Sequence, residues 1–262
     1  MKKVLVITLI IGLSLLGGTF QVAAETLKVG ATPRPHAEVL NLIKPDLAEI
    51  GIELKIIEFT DYVQPNLALA EGELDANYFQ HIPYLETFSQ DHRLDLTYAA
   101  KVHIEPMGAY SEKITQLDEL NKGARIAIPN DSVNGGRALL LLAENGLIEL
   151  DPEAGITATL LDITSNPMGL KFSELEAAQL PRVLPDVELA IINTNYALEA
   201  GLAPLKDALF IEGSESPYVN VLAVRKSDLE RGDLAKLSEA LLSDKVRDFL
   251  LEEYGGAVVP AF

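Results

Sequence analysis

The sequence predicts an α/β protein, and three observations carry that expectation. Residues 27–59 read as strand, helix, strand: LKVGA runs into a proline turn, Val39, Leu42, Ile43, Leu47 and Ile50 recur at helical spacing, and Ile52, Leu54 and Ile56 alternate. A βαβ unit of this kind is the building block of a parallel sheet. Two later apolar runs, ARIAI at 124–128 and VELAII at 187–192, read as buried strands. No repeat, low-complexity segment or flexible linker interrupts the pattern, so any domains are joined by short crossings.

The first 24 residues stand outside the fold. Lys2 and Lys3 form a positive n-region, an apolar run covers 4–16, and Val22-Ala23-Ala24 supplies the small residues a signal peptidase requires. The run is short for a membrane span. Export to the periplasm with cleavage after Ala24 is expected, and taking this 24-residue leader from 262 leaves a mature chain of 238. That is enough for two domains of ordinary size. The sequence holds no Cys, so it has neither a lipobox cysteine nor disulfides. Losing Lys2 and Lys3 takes the net charge from −18 to −20, which argues against nucleic acid and anionic lipid as partners.

In the mature chain the first strand is expected at 27–31 and a helix at 36–50, kinked near Lys44 by Pro45 and closed by Gly51. A strand at 52–59, a helix at 62–71 and a short strand at 74–77 follow, then an aromatic turn in which Pro83 ends any helix. Residues 96–103 read as a strand, and IEPMGAYS at 104–111 as a crossing. A short helix starts at 117. After the strand at 124–128, Asn130, Asp131 and Ser132 are N-cap candidates for a helix expected over 137–143 and stopped by Gly146. The remaining expectations are a strand at 157–164, a helix at 172–180 ending before Pro181, strands at 187–192 and 216–224, and helix over most of 229–254.

Four places could carry chemistry. Tyr78, Phe79, His81 and Tyr84 crowd together in a chain that is only 6% aromatic and lacks Trp. They read as core filler or as the wall of a pocket for an apolar ligand with a polar end. Ligands of open α/β sheets bind beyond the carboxyl ends of strands, which favours the pocket. Arg137 follows two glycines near a helix N-terminus and reads as a surface arginine or as the bidentate partner of an anion. Asn193 stands at the carboxyl end of a buried strand. Asn220 is a lone polar residue within an apolar strand and must find hydrogen-bond partners there. The four histidines, at 36, 81, 92 and 103, lack zincin spacing, so no metal or other cofactor is expected.

The stretches VGATPRPHAEVL, FTDYVQPN, LDANYFQHIPYL, VHIEPMGAYS, KFSELEAAQLPRVLPDVELAIINTNYA and ESPYVNVLAVR span nearly the whole mature chain. Through them the sequence resembles the methionine-binding periplasmic proteins of the NlpA/MetQ family, substrate receptors of a methionine ABC importer. The resemblance implies a two-lobed type II periplasmic-binding-protein fold with two hinge crossings. Lobe 1 would comprise 27–108 plus 218–262, and lobe 2 109–217. It implies Arg137 as partner of the ligand carboxylate and Asn193 and Asn220 as polar contacts. Phe79, His81 and Tyr84 would form an aromatic cage for the thioether, with Tyr62 and His103 beside them. A monomer that hands methionine to a membrane permease is the implied function. The family's receptors are mostly lipoproteins, from which the missing cysteine departs. Two alternatives are an enzyme on the same scaffold, such as a periplasmic dehydratase, and a receptor for another small anion. The expected pocket offers an enzyme no paired carboxylates, no Cys and no Ser with a base. The aromatic cage would be superfluous for a simple anion.

Overall fold

The computed structural model describes residues 25–213 and 216–262; the expected leader lies outside them. The chain begins with β1 (Glu25–Ala31), α1 (Glu38–Glu49), β2 (Ile52–Glu58), α2 (Gln64–Ala70), β3 (Ala76–His81), α3 (Ile82–His92) and β4 (Leu96–Ile104). It continues with β5 (Gly108–Tyr110), β6 (Arg125–Pro129), α4 (Ser132–Glu144), β7 (Glu149–Leu150), β8 (Ile163–Ser165), β9 (Lys171–Leu175) and β10 (Leu189–Ile192). Last come α5 (Thr194–Glu199), α6 (Pro204–Asp207), β11 (Phe210–Ile211), β12 (Val219–Arg225), α7 (Gly232–Leu241), α8 (Asp244–Tyr254) and β13 (Val259–Pro260).

Two mixed sheets organise these elements. The first runs β13-β4-β12-β3-β1-β2, and the second β11-β5-β10-β6-β9. In the first, β1 is parallel to β2 and β3, while β12 lies antiparallel between β3 and β4. In the second, β10, β6 and β9 are parallel, with β5 and β11 antiparallel at one side. Each sheet is apolar on both faces because successive strand residues point opposite ways. Leu222 and Val224 of β12 join the cluster of Val29, Leu40, Leu234 and Leu250, and Val221 and Ala223 join that of Leu69, Leu74 and Leu85. In β10, Leu189 and Ile191 face Ile126 and Leu142, and Ala190 and Ile192 face Leu180 and Tyr196. Helices on both faces of both sheets make this an α/β fold. Glu105, Pro106 and Met107 lead from β4 of the first sheet to β5 of the second. The segment between β11 and β12 leads back.

Several local expectations are corrected. The aromatic stretch is not a turn: Tyr78 and Phe79 belong to β3, a fully buried inner strand paired with β1 and β12. Pro83 starts α3 rather than ending a helix, because the missing N–H of a first-turn proline has no helical partner to lose. Near Lys44, where a kink or break is expected, α1 is unbroken and passes through Pro45. Pro45 and Asn41, whose carbonyl it releases, both lie on the exposed side, where water replaces the lost bond. The strand expected at 157–164 is mostly two 3-10 turns, Gly155–Thr157 and Leu160–Asp162, and only Ile163–Ser165 is strand. Thr159 and Asp162 cap one another's backbone there, a local bonding that competes with a ladder. The helix expected at 172–180 is β9 followed by 3-10 turns over Ala177–Asp186. Pairing of 171–175 with β6 overrides its helical pattern, and Pro181 and Pro185 suit tight turns better than a continuous α-helix.

Candidate functional site

Between the two sheets lies a small cavity, lined by residues of the first sheet, of the helices that follow β6 and β10, and of the first crossing. One wall is aromatic. Tyr62, just ahead of α2, sits 5.8 Å from Phe79, 5.8 Å from Tyr84 and 5.0 Å from Tyr196 between ring centroids. The Tyr84 hydroxyl donates to the Tyr62 carbonyl at 3.0 Å, which fixes the corner of this wall. The Tyr62 hydroxyl donates to Asn195 Oδ1 at 2.6 Å, joining the first half of the molecule to the second.

The rest of the lining includes a chain of amides whose orientation is set by Asp131 and reinforced by His81. This residue ends β3 and caps α3, its Nδ1 accepting from the backbone N–H of Tyr84 at 3.2 Å. Burial, reinforced by the Arg137 cation, holds its pKa at about 3, so the ring is neutral. With Nδ1 accepting, Nε2–H donates to Asn134 Oδ1 at 3.1 Å. Asn134 gives its own Nδ2 to the carboxylate of Asp131, the residue that caps α4. Asn134 Oδ1 therefore also accepts from Asn193 Nδ2, at 2.9 Å. The outcome is that Asn193 turns its carbonyl end away, and this Oδ1 has no protein partner among the described residues. Asn195 is the mirror case: Tyr62 takes its oxygen, and its buried Nδ2 is unpaired among the described residues. The cavity lining thus includes one free acceptor and one free donor on neighbouring residues.

Among the described residues Arg137 is the one cation of the lining, and it is buried. It stands in the second turn of α4 and not, as expected, in the first, because that helix begins at Ser132, capped by Asp131, one of the expected caps. Gly135 and Gly136 are helical: a Cβ on Gly135 would lie 2.9 Å from the Pro129 carbonyl, and one on Gly136 2.4 Å from that of Ile156. The expected anion site at the N-terminus of α4 is filled by Asp131, whose side chain accepts from Asn134 N at 2.8 Å. The two-pronged face of Arg137 is also taken. Nε and Nη2 donate to the Glu212 carboxylate at 2.8 and 2.5 Å, and Nη2 to the Glu105 carbonyl at 2.7 Å. Nη1 is the guanidinium nitrogen left over.

Behind the cavity is a buried polar cluster. The register sets Asn220 beside His81 of β3 on one side and His103 of β4 on the other. Asn220 Oδ1 accepts from His36 Nε2 at 3.2 Å, which leaves its amide nitrogen available. Glu105 accepts from His103 Nε2 at 2.7 Å and from the backbone N–H of Asn195 at 3.1 Å, and its carboxyl lies 3.2 Å from His36 Nε2. Thr32 and Tyr78 hydrogen-bond the remaining nitrogens of His36 and His103. Burial lowers the pKa of His36 to about 4 and of His103 to about 3, and it pushes the Glu105 carboxyl up against the pull of His36 and Arg137. The donor atoms of His36, His103 and Glu105 converge within 4.8 Å, a grouping invisible in linear spacing. Each is engaged in hydrogen bonds within the protein.

Of the eight residues singled out from the sequence, Tyr62, Phe79, His81, Tyr84, Arg137, Asn193 and Asn220 line the cavity. His103 does not; it lies one layer back, bonded to Tyr78 and Glu105. Gln80, Glu105, Asn134, Thr194 and Asn195 line it too and were not singled out. Asn195 had a readable signal, since it follows the same strand end as Asn193. Glu105 and Asn134 had none beyond a crossing segment and a cap.

The profile of the family described as NlpA lipoprotein matches residues 27–262. The chain is 41% identical over 263 residues to the D-methionine-binding lipoprotein MetQ of Yersinia pestis, covering 98% of this chain and 97% of the relative. The structure of a nutrient binding protein from Burkholderia cenocepacia bound to methionine superposes with a TM-score of 0.87 at 47% identity, over 90% of this chain and 100% of that one. An ABC transporter periplasmic substrate-binding protein from Coxiella burnetii gives 0.86 at 46% identity, over 90% and 100%. With a profile that spans almost every described residue and relatives matched end to end, the chain belongs to the NlpA lipoprotein family.

Proposed function

We propose that this protein is the extracytoplasmic receptor of a methionine ABC importer, binding methionine or a close analogue between two lobes and delivering it to the permease. The observation that carries this is the division of the cavity. Three rings stand on one side, and on the other a cation with a free acceptor and a free donor, Asn193 Oδ1 and Asn195 Nδ2. The acceptor suits an α-ammonium, the donor and Arg137 Nη1 suit an α-carboxylate, and ring edges favour a thioether. The relatives described as methionine-binding support the same ligand. Binding and transport, rather than catalysis, is the business of the family.

Lobe 1 is taken as 27–108 plus 218–262 and lobe 2 as 109–217, the sheet membership of the strands supporting that division. The ligand contacts are assigned to Arg137, Asn193, Asn220, Phe79, His81, Tyr84 and Tyr62, extended by Asn134 and Asn195. The receptor acts as a monomer in the periplasm, and a chain without cysteine has no thiol for a lipid anchor. Mass spectrometry of small molecules released from the denatured protein, followed by calorimetry with L- and D-methionine, tests the assignment. Binding of neither isomer would end it.

A further inference from the structure

We propose that Glu212 is a specificity-determining residue that confines the site to zwitterions. It acts through Arg137 without lining the cavity. The inference rests on the methionine reading and extends it to the class of ligand admitted.

A free arginine presents a planar fork of donors and takes almost any carboxylate in two-pronged fashion. Here the fork is spent. Glu212 holds Nε and Nη2, the Glu105 carbonyl holds Nη2 again, and the Tyr218 ring covers one face with its centroid 4.1 Å from the guanidinium carbon. A ligand carboxylate meets Nη1 alone, so Arg137 contributes orientation more than net charge.

The charge balance leads to the same place. Arg137 is paired with the Glu212 carboxylate, the Glu105 carboxyl lines the cavity wall, and Asp131 stands behind Asn134. The Arg137–Glu212 pair carries no net charge, so the cation does not make the surroundings positive before any ligand enters. A bare carboxylate brings a further negative charge into a poorly screened space. An amino acid brings an ammonium as well, and Asn193 Oδ1 is unpaired to receive it. Without Glu212 the balance would shift by one charge, and the fork of Arg137 would open to anions.

The test compares methionine, in whichever isomer binds, with 4-(methylthio)butanoate. The latter keeps the carboxylate and thioether and lacks the ammonium. Titration calorimetry on the wild-type protein should favour methionine by about a hundredfold or more. In Glu212→Gln that preference should narrow by about tenfold, with the butanoate binding tighter in absolute terms. Glu212→Asn and Glu212→Ser remove the same charge with less bulk, so a folding defect peculiar to the glutamine variant leaves the comparison standing. Glu212→Asp should keep the wild-type preference even if both affinities fall. An unchanged preference in the neutral variants, with both ligands weakened alike, would show that Glu212 merely props up Arg137 and would overturn the inference. A wild-type protein that binds neither compound would instead overturn the methionine reading beneath it.

Discussion

Tyr62→Phe removes one oxygen and separates closure from folding. The hydroxyl donates to Asn195 Oδ1 at 2.6 Å, from the first sheet's half to α5 of the second. The ring stays, and with it the contacts to Phe79, Tyr84 and Tyr196. A hydrogen bond of this kind contributes about 0.5–1.5 kcal/mol net, and the buried Asn195 oxygen left without a donor costs about 1–3 kcal/mol. A combined effect near 2 kcal/mol corresponds to about thirtyfold in Kd. If the two halves part to release ligand, the bond exists only in the closed state, and its loss falls on ligand affinity and residence time. Calorimetry should show the weaker Kd, stopped-flow fluorescence a faster off-rate, and the ligand-free melting temperature should move little. An unchanged Kd beside a melting temperature lower by about 4–8 °C would refute the reasoning. The bond would then belong to the resting fold and not to closure.

Other changes divide the labour of the pocket. Arg137→Ala should weaken every amino acid ligand by a similar factor, roughly 2–5 kcal/mol, and it should also destabilise the fold by stranding Glu212. Phe79→Ala should weaken methionine far more than alanine or glycine; calorimetry across the three ligands reads the pattern, and equal losses would remove Phe79 from the thioether wall. Stability should fall as pH drops below 6.5 toward about 4, because His36, His81 and His103 stay neutral when folded but take up protons when unfolded. Each contributes at most about 1.4 kcal/mol per pH unit, and Glu105 and Asp131, whose carboxyls burial pushes up, oppose the trend. Urea midpoints at pH 7 and 5 should therefore drop less in His81→Gln than in the wild type; equal drops would mean His81 is not held neutral. Intact mass of the exported protein should equal the chain from Glu25 without acyl addition, and an acylated species would contradict the unlipidated assignment.

What the sequence could show is what period and local chemistry encode. Strands with both faces buried, such as β6 and β10, read directly as apolar runs, and β1-α1-β2 read as one unit. The aromatic stretch is legible in place but not in shape, because a strand filled by Tyr78 and Phe79 and followed by a first-turn proline looks locally like a turn. Residues 157–180 failed for a related reason: side-chain capping at Thr159 and sheet pairing at 171–175 override helical or strand pattern, and neither is a property of spacing. In the site, rings and strand-end asparagines announce themselves. The partners that orient them do not, since Glu212 and Asn134 meet Arg137 and Asn193 only when distant segments around the second sheet come together.

The polar half of the cavity is built mainly from amides, and this follows from the ligand it is proposed to hold. A zwitterion carries no net charge, so full charges on the protein would have to be desolvated in balanced pairs, at several kcal/mol per ion. Amides meet both ends of such a ligand with smaller desolvation penalties, but each has two ends of opposite sense and needs something to choose between them. Asp131 makes that choice for Asn134 by accepting only, and a neutral His81 reinforces it by donating. Asn134 then chooses for Asn193, and Tyr62 for Asn195. Protonating His81 would take away the acceptor at Nδ1 and detach the cap of α3, so the neutral state is required by the fold and the site together. One consequence separates this chain of choices from a set of independent contacts. Asn134→Asp, which lacks the amide nitrogen for Asp131 and sets two carboxylates side by side, should weaken methionine by about tenfold or more through the disorder of Asn193. Asn193→Ala in that background should then add little, whereas independent contacts would give losses that multiply.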